Sequence, residues 1–210
     1  MNPNGYTGAM EVLQLQVHNE MQRILEVVCE LTGLPSNWNR TLLLVDGAEF
    51  RGRKPFSCSI ELDADLARLP HRWATSIHEA LHAVSAGYDR NDFQAFRGWE
   101  EGTVEQLQRL LRPTILGRLG VTMKEDIWQE HEAHHRFNEY LRALEEIRTA
   151  IAEEDTPESA TEFYIRLLAT PLRDRPAFVL GLGFRHAELP RTPFVRVFSA
   201  ANAVLTRRPL

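Results

Sequence analysis

At 210 residues the chain has room for one well-buried core, and two independent domains are not expected. Its 43% hydrophobic and 25% charged residues and formal net charge of −5 are those of an ordinary globular protein, and they give no electrostatic footprint for nucleic acid. No apolar run reaches the roughly 18 residues needed to span a membrane, and Met1–Gly8 lacks the basic-then-apolar pattern of a secretory signal, so the expected compartment is the cytoplasm.

Residues 1–9 read as a flexible lead, and 10–210 as one domain ending in helices. From Met10, apolar residues recur at Leu13, Val17, Met21, Ile24 or Leu25, Val28 and Leu31, close to helical spacing. Gly33 and Pro35 stop that run. Thr41–Asp46 is a branched, apolar strand ending in the Asp46-Gly47 turn signal. Residues 47–55, with Arg51, Arg53 and Lys54, read as an exposed loop or hairpin tip. Ser57–Leu62 alternates with period two and reads as a second strand. The two cysteines, Cys29 and Cys58, are expected as free thiols, with Cys58 weighed as a zinc ligand against a half-buried strand residue.

Pro70 suits the start of a helix and Gly87 its end, which predicts a helix over about 71–86. Its centre reads His78-Glu79-Ala80-Leu81-His82. Residues four apart on a helix share a face, so the two imidazoles can reach one Zn2+ with Glu79 beside them. Trp73, Ile77, Leu81 and Val84 form the core face. A catalytic zinc takes three protein ligands and keeps the fourth position for water. Gly87, Asp89, Asn91, Asp92 and Gly98 supply a reversal, after which Glu101 is the candidate third ligand, with Glu100 its competitor. Glu105, one helical turn on, is placed to orient a ligand. The helix carrying them is expected to open near Trp99 and end at Pro113.

The pattern over residues 71–107 resembles the gluzincin metallopeptidases, zincins whose third ligand is a glutamate on a helix after the His-Glu-x-x-His helix. Glu101-Gly102 resembles the Asn-Glu-Gly stretch of the aminopeptidases with Glu100 in place of Asn, and Glu105 resembles the thermolysin-like acid behind the ligands. The Gly-x-Met-x-Asn exopeptidase motif is absent. The resemblance implies an α+β, predominantly helical, minimal zincin-like domain with a small sheet ahead of the metal helix. It also implies that the Ser57–Leu62 strand, as a sheet edge, binds extended substrate backbone. The implied activity is zinc-dependent hydrolysis of peptide bonds in a protein or peptide substrate. In it, Glu79 takes the proton of a water acidified by the metal. Gluzincins add a Tyr or His for the oxyanion; Tyr88, Tyr140, Tyr164 and His186 are available, with Tyr164 or His186 preferred. A partner protein that restrains the activity or presents the substrate is a further expectation. Two other readings stand beside it: a zinc-stabilised interaction module without turnover, and a zinc amidohydrolase acting on non-peptide amides.

A second His-Glu-x-x-His occurs at 131–135, with Glu154 at the same distance beyond it. No Gly or Pro interrupts Arg136–Arg148, so the sequence predicts one helix over 124–154 that carries Glu154 roughly 28 Å from the histidines. His131, His134 and His135 are then expected on an exposed helical face. Further helices are expected over Pro157–Ala169 and Phe194–Leu205, with Leu172–Leu189 broken by Pro176, Gly181 and Gly183.

Overall fold

The computed structural model describes residues 4–87, 89–151, 157–185 and 191–207. They are mostly helical, with one small mixed sheet. Their contacts gather in two compact units, Met1–Val84 with Arg112–Trp128, and Ser85–Leu111 with Gln129–Leu210. No helix among the described residues is long and apolar enough to cross a membrane.

The first unit is built on helix α1 (Asn4–Thr32), which begins inside the stretch read as a lead. Val17, Met21, Ile24, Leu25 and Val28 form its buried stripe. It ends at Gly33, whose φ of 70° is the left-handed conformation of a helix C-cap; the Gly33 N–H donates to Cys29 O at 2.9 Å. Strand β1 (Leu42–Val45) runs parallel to β3 (Ile60–Asp63), and β2 (Gly52–Arg53) pairs antiparallel with β3, giving the order β1-β3-β2.

That order corrects the reading of the second strand as a sheet edge. β3 is central, so its backbone is spent on both neighbours, and residues 55–58 form a turn closed by Cys58 N–H to Pro55 O at 2.9 Å. The edges are β1 and β2. Along β1 the side-chain amide of Gln14 acts as a short false strand, donating to Leu42 O and accepting from Leu44 N–H at 3.0 Å. β2, which lies within the segment read as a loop, forms the opposite edge.

Helix α2 (Arg72–Val84) packs on α1 and on β2. Trp73, Ile77, Leu81 and Val84 are buried as the spacing predicts. Arg72 at its start makes a two-pronged bond to Glu20 of α1, with both N···O distances 2.9 Å. Burial alone raises the Glu20 carboxyl, but the Arg72 bonds and charge outweigh it and hold the group below its ordinary value. At the other end of α2, Asn37 N–H donates to Ala83 O at 2.7 Å, tying down the link that follows α1.

Helix α3 (Arg90–Leu119) departs from expectation at both ends. Asp89 caps its start, accepting from the N–H groups of Asn91 and Asp92 at 2.7 and 2.9 Å. It then passes through Phe96, whose φ/ψ of −125°/27° marks a kink, and through Pro113 without stopping. A proline inside a helix costs about 3 kcal/mol in isolation. Here Leu111, Ile115, Leu116 and Leu119 are buried around it, and each buried aliphatic side chain returns about 1.5–3 kcal/mol, which outweighs that cost. The helix stops only at Gly120, with φ 71°.

The second unit holds residues 90–111 of α3, the end of α4 (Glu125–Ala133), α5 (Asn138–Ile151), α6 (Pro157–Leu168), α7 (Arg175–Arg185) and α8 (Arg191–Leu205). Helix α8 packs against α5 and α7. Gly98, one of the residues read as a reversal signal, lies within α3 instead, where a Cβ would come within 2.6 Å of the Leu205 carbonyl oxygen. Its missing side chain is what lets α8 close on α3. Trp99, fully buried, adds an indole N–H bond to Asn202 Oδ1 at 2.9 Å.

The helix expected over 124–154 is two helices. Asn138 explains the break: its side-chain amide donates to Glu132 O at 2.8 Å and Ala133 O at 3.3 Å, taking up the last carbonyls of α4.

Candidate metal centre

Helix α2 places His78 and His82 one turn apart. Their Nε2 atoms are 3.1 Å from each other and the rings meet edge-on, with centroids 4.8 Å apart. Two nitrogens bound to one tetrahedral zinc at 2.0–2.1 Å sit about 3.3 Å apart, so this spacing suits a shared ion. The carboxylate of Glu101 completes the group: one ligand atom from each of His78, His82 and Glu101 lies within 4.8 Å of the others. Two imidazoles and one carboxylate are a donor set that fits zinc and leaves a position open. His82 and Glu101 are buried and His78 is half-buried.

Glu79, between the two histidines in sequence, is buried at 4% exposure. Its carboxylate rests against strand β2, since a Cβ on Gly52 would lie 3.0 Å from Glu79 Oε1, 2.5 Å from Thr75 Cγ2 and 3.0 Å from Leu62 Cδ2. Gly52 therefore makes room for the carboxylate beside the sheet edge. Nothing in the sequence singled out Gly52 within its polar loop.

The two adjacent glutamates of α3 differ in their partners. Glu100 is fully buried in an ion pair with Arg175, NH1 to Oε2 at 2.7 Å, and accepts from the Ser85 hydroxyl at 3.0 Å. Glu101 has Arg97 one turn back, Nε to Oε1 at 3.5 Å. Glu105, also buried, accepts from Arg109 Nε at 2.9 Å and lies 3.5 Å from His135 Nδ1. Arg109 in turn donates to Asn138 Oδ1 at 3.0 Å.

His135 lies beyond the end of α4, so the second His-Glu-x-x-His does not sit on one continuous helix. His134 is exposed as expected, but His135 is half-buried beside Glu105, which corrects its reading as an exposed helical residue. Glu154 lies outside the described residues, as does Tyr88.

Of the two preferred oxyanion donors, His186 lies outside the described residues. Tyr164 is fully buried on α6, and its hydroxyl donates to Glu145 Oε1 of α5 at 2.7 Å. Burial, and then the Glu145 charge and hydrogen bond, push this phenol well above its ordinary range. Gln106 and Arg148 hold the same Glu145 carboxylate at 3.2 and 2.8 Å, so the Tyr164 hydroxyl belongs to a half-buried helix-to-helix network. Tyr140 is likewise buried, stacked on Phe137. Cys58 and Cys29 are free thiols, and Cys58 Sγ has the Phe56 carbonyl as its neighbour at 3.7 Å.

No protein-family model, curated protein or solved structure matches this chain.

Proposed function

We propose that the protein is a zinc-dependent peptidase of the gluzincin type, with His78, His82 and Glu101 as metal ligands and Glu79 as general base. The observation that carries this reading is the convergence of His78, His82 and Glu101, with ligand atoms within 4.8 Å of one another. The buried carboxylate of Glu79 follows directly after the first ligand in the sequence. A closed structural site takes a fourth protein ligand and has no use for a base, and among the described residues three donors converge here.

Zinc, when bound, supplies Lewis acidity and acidifies water. The chain supplies the rest. Glu79, held against Gly52, is placed to accept a proton from water and to return it to the leaving amine. Strand β2, on the sheet edge opposite the one occupied by Gln14, is the strand available to align an extended peptide beside that carboxylate. This takes the role that the sequence had suggested for the Ser57–Leu62 strand.

Metal analysis of the purified protein is expected to give one zinc per chain, and a peptide-library digest is expected to show cleavage that a chelator stops and added zinc restores. Cleavage of simple amides with peptides left intact would move the assignment to a non-peptide amidohydrolase. A chain free of zinc and inert to both substrates would remove it.

Gly52→Ala tests the seat of the base. The new methyl must displace Thr75 Cγ2 and presses on both Glu79 Oε1 and Leu62 Cδ2, and overpacking of this kind costs about 1–3 kcal/mol of stability. Misplacing a catalytic group by up to about 1 Å lowers turnover by as much as 100-fold. The variant is expected to keep its zinc, melt a few degrees lower and lose turnover at least tenfold, about 1.4 kcal/mol in the barrier. Unchanged turnover would show that the carboxylate does not depend on this seat.

A further inference from the structure

Glu100 and Glu101 are adjacent carboxylates on one helix, and only one of them joins the histidine pair. Either has the right chemistry for zinc, so something other than residue type selects between them. Successive residues on an α-helix point about 100° apart, which means that fixing the direction of one fixes the direction of the next.

Arg175 provides that fix. It is the first residue of α7, fully buried, and its guanidinium makes four contacts. Nε donates to Thr170 O at 3.2 Å, NH1 to Trp99 O at 3.1 Å, NH2 to the Ser85 hydroxyl at 2.8 Å, and NH1 also meets Glu100 Oε2 at 2.7 Å. Ser85 closes the ring by donating to the same Glu100 oxygen at 3.0 Å. Ser85 lies just beyond the last residue of α2, and Trp99 and Glu100 are the two residues before Glu101. Within the second unit, one planar cation thus ties Ser85 to Trp99 and Glu100 of α3, and it holds the backbone and the side chain that immediately precede the third ligand.

We propose that Arg175 is a positioning residue for the metal centre: by engaging Glu100 and Trp99 it sets the rotation of α3 so that Glu101 is the glutamate presented to zinc. The inference rests on the peptidase reading only through its zinc site. It adds a residue, 74 positions beyond the ligand it serves, that no spacing rule would find.

The test is zinc affinity, measured with a competing chelator well below the melting temperature, on protein whose helical circular dichroism matches wild type. Two variants are compared. Arg175→Lys keeps the charge but has no planar fork to reach Ser85, Trp99 and Thr170 together. Glu100→Met with Arg175→Met removes both charges, so neither is stranded; an apolar exchange of a buried pair commonly preserves folding. Both are expected to fold and to bind zinc about 10–100-fold more weakly, the scale seen when a group supporting a metal ligand is lost. A merely structural Arg175 would lower the melting temperature and leave the dissociation constant alone. If Arg175→Lys fails to fold, the double variant decides. A folded variant that binds zinc as tightly as wild type overturns the proposal by itself. A wild-type chain that binds no zinc overturns the peptidase reading, and this proposal with it.

Discussion

Replacing Glu79 with Gln is expected to leave one zinc per chain in place and to reduce peptide cleavage by about 10²–10⁴-fold, the usual contribution of a positioned general base. Gln has nearly the same shape, so it keeps the packing against Gly52 that defines this side chain's seat. It cannot accept a proton at neutral pH. The three-residue donor group does not include Glu79, so the metal should be indifferent to the change. The measurement is zinc content beside initial cleavage rate for the two proteins. If cleavage persists at the wild-type rate, the base lies elsewhere. If zinc is lost along with activity, Glu79 is tied to the metal rather than to the water. An interaction module without turnover predicts a third pattern, in which the wild type does not cleave at all and the substitution alters nothing measurable.

What the sequence could convey about this fold follows from how far each signal reaches. The stripe Val17, Met21, Ile24 and Val28 recurs at one helical spacing and is buried as a unit, since periodicity is a local property that tertiary packing reinforces. The same holds for Trp73, Ile77, Leu81 and Val84 on α2. Helix ends depend on more than local signals. Pro113 is a strong local breaker, but the apolar residues buried around it outweigh the lost hydrogen bond, and that balance depends on the whole fold. Asn138 carries a usable signal, since Asn favours helix ends over helix interiors, yet the absence of any Gly or Pro around it masks it.

The candidate site divides the same way. His78, Glu79 and His82 are legible because one turn of helix places them together, and Glu101 because Gly87 and Asp89 mark a break between the two helices that carry the group. The supports are not legible. Gly52 matters for a Cβ it lacks, and Arg175 for partners in three separate stretches of chain, Ser85, Trp99–Glu100 and Thr170. The β2 edge of the sheet is another such case. Strand β2 is two residues long, too short for any alternation to appear, and its place beside β3 follows from pairing alone.

His82→Ala carries the second large effect, and it separates the metal from the rest of the fold. His82 is buried, with its Nε2 3.1 Å from that of His78, so its removal leaves one imidazole and one carboxylate from the group of three. Zinc content is expected to fall from one per chain to near zero after dialysis. Stability gives an independent measure, since a ligand that binds only the folded chain stabilises it by RT ln(1 + [L]/Kd), about 2.7 kcal/mol at a hundredfold excess over Kd. For a chain of this size that corresponds to a rise in melting temperature of about 5–10 °C. Wild type should show that rise on adding zinc and His82→Ala should not, while the two metal-free proteins melt within a few degrees of each other. The increment also carries a sign in pH: zinc needs neutral imidazoles, so it should shrink as the solution is made acidic and protons compete with the metal for the two histidines. A His82→Ala chain that keeps the zinc-dependent rise would place the ion elsewhere, and a wild type without the rise would leave His78, His82 and Glu101 as neighbours with no metal to share.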